Sequence, residues 1–335
     1  MEKSMRDYFI VVFLAMLAVT AMPCVHAGAV EFAEWLDAFR QEARAQGITE
    51  DTLERAFAGV EPIPLVIELD RNQPEFKKDF RAYLDLMVNK RRISRGRLML
   101  ARHSEILEKI RRHYGVQPRF IVALWGLETD FGSMSGGFPV VGALATLAHD
   151  SRRSAFFEAE LLHALKILDE GRIGITNMEG SWAGAMGQVQ FMPSTYVRYA
   201  VDEDRDGRKD IWSSLPDAFA SAANYLSDYG WRAEMTWGRQ VTLPDGYDEN
   251  ASGLSLKTSL AAWQEAGVRK VDGENLPVYD TDASLVLPSG IEGPAFLVYQ
   301  NYRAVMRWNP SHLYALAVCH LADRLVGGGP LEGMP

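Results

Sequence analysis

Apolar positions recur at helical spacing through most of the chain. In "VEFAEWLDAFRQEARAQG" they fall at Phe32, Trp35, Leu36 and Phe39, the three- and four-residue steps that place side chains on one face of a helix, and Gly47 marks its end. "ITEDTLERAFAGV" predicts a second, short helix with Thr49 as its cap and an acidic first turn. Pro62 and Pro64 interrupt the pattern. Helices are expected again over "FKKDFRAYLDLMV", over "GRLMLARHSEILEKIRRHYG" up to Gly115, over 118–131 entered at Pro118, and over 154–170, where Phe156, Phe157, Leu161, Leu165 and Leu168 repeat.

From residue 239 the pattern changes. "RQVTLPDGYDE", "VYDTDASLVLPSG" and "PAFLVYQNY" hold β-branched and aromatic residues between Pro, Gly and Asp, which predicts short strands and turns. One helical piece, "LSLKTSLAAWQEAG", lies inside that stretch, and helical periodicity returns at 301–326. The expected fold is therefore mainly α, within the α+β class. Its parts are an N-terminal helical subdomain at 28–115, a core at 116–238, a β-rich insert at 239–297 and a C-terminal helix at 298–335 that returns to the core. No internal repeat or low-complexity tract interrupts the chain.

The first residues stand apart. Lys3 and Arg6 precede an apolar run from Tyr8 to Met22, and small residues follow up to Gly28. That is the pattern of an export signal at 1–27, cleaved after Ala27. The run is short for a membrane span, and Cys24 follows Pro23 without a lipid-acceptor pattern. An exported location is expected.

Composition narrows the function. The chain has 335 residues, 47% hydrophobic and 24% charged, with a net charge of -9. An acidic exported protein is poorly suited to nucleic acid. After cleavage Cys319 is alone, so no intrachain disulfide is expected. The scattered histidines have no metal-ligand spacing, and no phosphate-cradling glycine loop calls for an organic cofactor.

Chemistry concentrates in three tracts. In "IVALWGLETDFG" the apolar run ends at Glu128, which shares a helix face with Leu124 and Trp125. A carboxylate at the C-terminal end of a buried helix meets both the helix dipole and desolvation, each favouring the protonated acid that a general acid needs. A structural glutamate satisfied by backbone donors or an arginine has the same position. Asp130, two residues on, points away from Glu128. In "GSWAGAMGQVQFMPSTY" Gly180, Gly184 and Gly187 permit close backbone approach, while Ser181 and Gln190 supply uncharged groups suited to sugar hydroxyls; a tight core loop has the same composition. In "DEDRDGRKDIW" Asp202, Asp204, Asp206 and Gly207 match the opening of an EF-hand calcium loop, and Arg208 would offer its carbonyl. The twelfth position is Ser213 instead of Glu; a solvated acidic turn is the alternative, but the Asp-x-Asp-x-Asp-Gly match favours a structural Ca²⁺ site.

"WGLETDFG" followed by "GSWAGAMGQVQFMPSTY", with "EFAEWLDAFRQEA", "DRNQPEF", "DIWSSLPDAFASAANYL" and "GPAFLVYQNYRAVMRWN", resembles the membrane-bound lytic transglycosylase B family of bacterial cell-wall enzymes over residues 31–326. The resemblance implies a lysozyme-like helical core and Glu128 as the one catalytic acid. It implies non-hydrolytic cleavage of the β-1,4 bond between N-acetylmuramic acid and N-acetylglucosamine, giving 1,6-anhydro ends. Ser181, Gln190, Tyr225 and Tyr302 would line the saccharide cleft, and Asp217 would close a structural Ca²⁺ site. Expected partners are peptidoglycan strands and other proteins of wall synthesis or remodelling, with the chain a monomer. The alternatives are a hydrolytic muramidase on the same scaffold and a calcium-stabilised, non-catalytic peptidoglycan-binding protein.

Overall fold

The computed structural model describes residues 25–72 and 79–332, with side chains from residue 31. Residues 1–24 of the expected export signal, and part of "DRNQPEF", lie outside the described residues. Helices α1 (Val25–Ala45), α2 (Glu50–Ala56), α3 (Pro64–Arg71), α4 (Phe80–Met87), α5 (Lys90–Arg102) and α6 (Ser104–Tyr114) come first. Then follow α7 (Pro118–Thr129), β1 (Phe138–Pro139), α8 (Val140–His149), α9 (Ser154–Asp169), β2 (Glu179–Gly180), α10 (Pro193–Tyr199) and α11 (Leu215–Asp228). The chain continues through β3 (Gly238–Thr242), β4 (Thr258–Ser259), α12 (Leu260–Glu265), β5 (Arg269–Lys270), β6 (Asp282–Val286), β7 (Ala295–Val298), α13 (Gln300–Trp308) and α14 (His312–Leu325).

The core is built around α7 and α14, which pack on each other and on α5. In α7 every residue from Phe120 to Leu127 is buried, and in α14 the same holds from Tyr314 to Ala322. A helix buried on all sides needs apolar residues at every position rather than one stripe, which is why both tracts lack polar alternation. Around this pair α8 packs on α9, α9 on α10 and α2, α11 on α6, and α3 on α8.

Several boundaries differ from the sequence expectation. Pro64 starts α3 instead of breaking the chain, because proline's fixed φ and missing N–H suit the first helical turn. The run expected from Gly96 to Gly115 is two helices that meet at His103, and α5 starts earlier, where the Asn89 side chain accepts from Arg92 N at 2.9 Å. Gly96 lies within α5 because a Cβ there would come 2.5 Å from Leu325 Cδ2. The single run at 301–326 is broken between α13 and α14 by "NP" at 309–310, since proline disfavours helix in the residue before it.

A five-stranded antiparallel sheet in the order β4-β6-β7-β3-β5 lies within Gly238–Val298. Alternation along β7 decides how it packs. Ala295 and Leu297 join a separate small core with Val241, Leu260, Trp263 and Leu285. Phe296 and Val298 turn to the main core, where Phe296 meets Phe80 edge-on at 5.9 Å. The insert is thus seated on the helical body through one face of its central strand.

Candidate active site

Glu128 sits on the last turn of α7, half-buried. Beyond it Asp130 (φ 47°), Phe131 (φ 58°) and Gly132 (φ 79°) are all left-handed, a conformation that costs non-glycine residues energy and must be imposed by their surroundings. Those surroundings are visible. Asp130 is buried and meets Arg91 at 2.9 Å, Arg95 at 3.2 Å and Arg92 at 3.5 Å. Phe131 packs edge-on against Trp125 at 5.6 Å. Thr129 Oγ1 accepts from Gly132 N at 3.0 Å and donates to Gln188 O at 2.9 Å. Asp130, the left-handed cap beyond the helix, is therefore a structural acid committed to these arginines.

The Glu128 carboxylate is held from the other end of the chain. Trp308 Nε1 donates to Glu128 Oε1 at 2.8 Å, and the Tyr314 hydroxyl donates to the same oxygen. Trp308 ends α13 and Tyr314 lies in the first turn of α14, so the Asn309–Pro310 break lets two successive helices aim donors at one atom. Neither residue was singled out from the sequence. The signal was present: an Asn-Pro pair inside an apolar helical run marks a forced turn, and it is flanked by Trp and Tyr, the side chains that combine a large apolar body with a hydrogen-bond donor.

The tract 181–191 is a compact loop closed by bridges from Met186 to Gly180 and to Phe191. Its glycines answer to the protein itself: a Cβ on Gly184 would lie 2.5 Å from Leu144 Cδ2, and one on Gly187 2.6 Å from Ile211 O. Close approach was expected, and the partner is the core. Ser181 Oγ accepts from Ala185 N at 3.1 Å and Ala183 N at 3.3 Å. Gln190 (φ 51°) donates from Nε2 to Ser135 O and Gly187 O, both at 3.0 Å, tying this loop to the one after α7. Both side chains are half-buried. Gln188 has a larger structural share. Its Oε1 accepts from Trp125 Nε1 at 2.8 Å, and its Nε2 donates to Trp212 O at 2.9 Å.

The two tyrosines expected in the cleft differ. Tyr225 is buried, with its hydroxyl donating to Arg307 O at 2.6 Å and its ring 5.0 Å from Trp308. It supports the wall that Trp308 forms, and burial raises its pKa. Tyr302 is fully buried, and its hydroxyl is 2.8 Å from His312 Nδ1. The expectation that Tyr302 lines the cleft is corrected: it is a core residue packed against Trp237 and His312.

In the acidic loop, carboxylate oxygens of Asp202, Asp204 and Asp217 lie within 4.8 Å of one another. Asp217 is fully buried at the start of α11 and accepts from Glu203 N and Asp210 N, each at 2.8 Å. Burial raises its pKa despite these donors. Asp206 is outside this trio; its N donates to Asp202 Oδ1 at 3.1 Å and its Oδ1 accepts from Arg208 N at 2.8 Å. An all-oxygen set with one member buried and closely spaced like charges suits a hard cation such as Ca²⁺.

The comparisons with known proteins agree with this architecture. SltB3 from Pseudomonas aeruginosa, solved in complex with NAG-anhNAM-pentapeptide, is 48% identical with a TM-score of 0.86, covering 91% of this chain and 83% of that one. The Escherichia coli lytic transglycosylase Slt35, solved in complex with calcium, is 27% identical with a TM-score of 0.75, covering 90% of this chain and 94% of that one. The membrane-bound lytic murein transglycosylase B of Escherichia coli K12 is 32% identical over 237 residues, which is 69% of this chain and 63% of that protein's length. The family described as the transglycosylase SLT domain matches residues 31–323, nearly all of the described chain, and the protein belongs to that family.

Proposed function

We propose that the protein is an exported, periplasmic lytic transglycosylase. It cleaves the β-1,4 bond between N-acetylmuramic acid and N-acetylglucosamine in peptidoglycan and leaves 1,6-anhydro ends. The observation that carries this reading is one half-buried glutamate, Glu128, whose Oε1 accepts from both Trp308 and Tyr314, on a helix whose only neighbouring acid, Asp130, is committed to three arginines. With both donors on Oε1, the transferable proton belongs on Oε2. It passes to the glycosidic oxygen as the C1–O bond breaks. The two donors then stabilise the carboxylate that remains. That carboxylate next accepts the proton of the muramyl 6-hydroxyl as O6 bonds to C1, which restores the acid. An intramolecular hydroxyl held in place has a high effective concentration and needs no second carboxylate to activate water. In this reading half-buried Ser181 and Gln190 line the saccharide path, with Tyr225 behind it. SltB3 was solved with NAG-anhNAM-pentapeptide, the kind of product this chemistry makes.

A structural Ca²⁺ held by Asp202, Asp204 and Asp217, with Asp206 and the Arg208 carbonyl completing the loop, belongs to the same proposal. The carboxylate spacing and the calcium complex of Slt35 support it. No helix among the described residues is long and apolar enough to cross a membrane.

Mass spectrometry of sacculi digested by the mature protein and by Glu128→Gln tests the reading. Anhydro-muropeptides one water lighter than hydrolysis products, and lost in the variant, are expected. Reducing ends instead would establish a muramidase, and intact sacculi that retain the protein would establish a binding role.

A further inference from the structure

Helix α5 is strongly basic in an acidic chain. Its sequence KRRISRGRLMLAR carries six cations and no acid, while the whole protein has a net charge of -9. The helix divides by face. Ile93, Gly96 and Met99 are buried. Arg91, Arg95, Leu98 and Arg102 follow one another at steps of four, three and four, which puts them in one stripe on the side turned to solvent. Arg91 and Leu98 are well exposed, their exposures 74% and 61%. Exposed Lys90 and Arg97 flank the stripe. From Arg91 to Arg102 it spans about 16 Å at 1.5 Å of rise per residue.

Few anions answer these cations. Arg91, Arg92 and Arg95 share one carboxylate, Asp130, at 2.9, 3.5 and 3.2 Å. That carboxylate is buried beneath them, and Arg95 turns its other amino group to Ser133 Oγ at 2.6 Å. Arg97 donates to a neutral acceptor, Arg324 O, from Nε at 3.2 Å and Nη2 at 2.7 Å. Lys90 and Arg102 are exposed and make no ion pair among the described residues. Two exposed acids lie at the ends of the helix: Asp85 lines a pocket with Lys90, and Glu105 stands in the first turn of α6. The face keeps a surplus of positive charge, with one leucine in its middle.

Salt screens charges beyond about 8 Å at physiological ionic strength. A partner that touches α5 therefore meets this face and not the net charge of the whole chain. An acidic polymer would pair with the cations and gain nothing from Leu98. The interfacial layer of a bilayer offers phosphates to the guanidinium groups and, just below them, acyl chains to a leucine. We propose that the outer face of α5 docks the exported protein on a membrane surface rich in anionic phospholipid. Arg91, Arg95 and Arg102 meet headgroup phosphates, Lys90 and Arg97 widen the contact, and Leu98 enters the acyl boundary. Arg91 and Arg95 also hold Asp130, two residues beyond Glu128, so the docked helix keeps the candidate acid near the bilayer.

Co-sedimentation of the mature protein with vesicles tests this. Phosphatidylcholine alone is compared with phosphatidylcholine containing phosphatidylglycerol, at low and at physiological salt. Lys90→Glu and Arg102→Gln remove exposed cations, and an acid in the first turn of α5 suits the helix dipole. Arg102→Lys keeps the charge, Leu98→Ser removes the apolar group, and Lys166→Glu reverses an exposed charge on α9 instead. Binding to phosphatidylglycerol vesicles that weakens with salt is expected. The partition coefficient should fall about fivefold in Arg102→Gln and roughly 25-fold in Lys90→Glu. It should fall about threefold in Leu98→Ser, and stay near wild type in Arg102→Lys and Lys166→Glu. No binding, or equal binding to both kinds of vesicle, overturns the proposal. So does a loss in Lys166→Glu as large as in Lys90→Glu, which would report net charge alone. Weak binding by the charge variants beside wild-type binding by Leu98→Ser would assign the face to a soluble polyanion and overturn the lipid assignment.

Discussion

Replacing Tyr314 by Phe removes one oxygen and leaves the ring. The ring is buried in the first turn of α14, where Phe fits the same space. The hydroxyl donates to Glu128 Oε1. A hydrogen bond to a charged group contributes about 1.5–3 kcal/mol, and it matters most after the proton has left Glu128, when Oε1 and Oε2 share a full negative charge. The bond therefore stabilises the transition state more than the resting enzyme, and its loss falls on kcat more than on KM. A loss of about 2 kcal/mol corresponds to roughly a 30-fold lower kcat. Initial rates of anhydro-muropeptide release, with substrate at saturation, read this directly. Tyr302→Phe is the matched control, because it deletes the same atom from a buried tyrosine whose hydroxyl faces His312 Nδ1 instead. That change should cost about 1 kcal/mol of stability and leave kcat within about twofold. A Tyr314→Phe enzyme with wild-type kcat, or one no slower than Tyr302→Phe, would refute the assignment of Tyr314 as a donor that stabilises the carboxylate.

Further outcomes follow from the charges. Chelating Ca²⁺ should lower the melting temperature by several degrees, since free ion at about a hundred times its Kd stabilises by roughly 2.7 kcal/mol; Asp217→Asn should abolish the calcium-dependent rise, and scanning calorimetry with and without the ion would expose a site that binds nothing. Burial, with Arg324 nearby, pushes His320 down to about 4. A depressed pKa means that its contribution is present above about 6.5 and lost as pH falls from there toward 4, about 3 kcal/mol in all; denaturant midpoints should show a shallower acid loss in His320→Gln than in wild type, and parallel curves would contradict it. Asp130→Ala should destabilise by about 3–5 kcal/mol because Arg92 loses its buried counter-ion. A urea midpoint within error of wild type would show that the arginine cluster does not hold the α7 turn.

The helical framework was legible because long apolar periodicities depend on burial alone. α1, α7 and α9 fall where the period puts them. The misses have local causes. Gly96 was read as a helix start because sequence alone does not show Leu325 pressing on its backbone. The 301–326 run was read as continuous because period outweighed the Asn-Pro pair, and that error hid Trp308 and Tyr314. Glu128 could be singled out because its two preceding turns are apolar, so it stands out as an acid on a buried face. Its donors arrive from residues about 180 positions later, and such a contact has no local signature. Tyr302 was misplaced for a related reason: a tyrosine suits a cleft wall and a core pocket equally, and only the His312 ring beside it decides.

The acidic loop and the acid belong to one mechanical unit. Ile211 and Trp212 follow the Asp-rich turn directly, and their carbonyls accept from Gln188 N and Nε2, at 2.8 and 2.9 Å. Gln188 Oε1 in turn holds Trp125, and Gln188 O holds Thr129. These two residues flank Glu128 on the last turn of α7. A cation that neutralises Asp202, Asp204 and Asp217 would thus fix the 202–212 turn and, through one glutamine, the left-handed exit of α7 that aims Glu128 at Trp308 and Tyr314. A strained exit persists only when its surroundings over-determine it, and here they do so from two sides: the arginines on Asp130 and the Gln188 bridge. The position of the carboxylate would depend on the 202–212 turn as well as on the loop that holds Gln188, so an ion remote from the chemistry would be tied to it through ordinary hydrogen bonds.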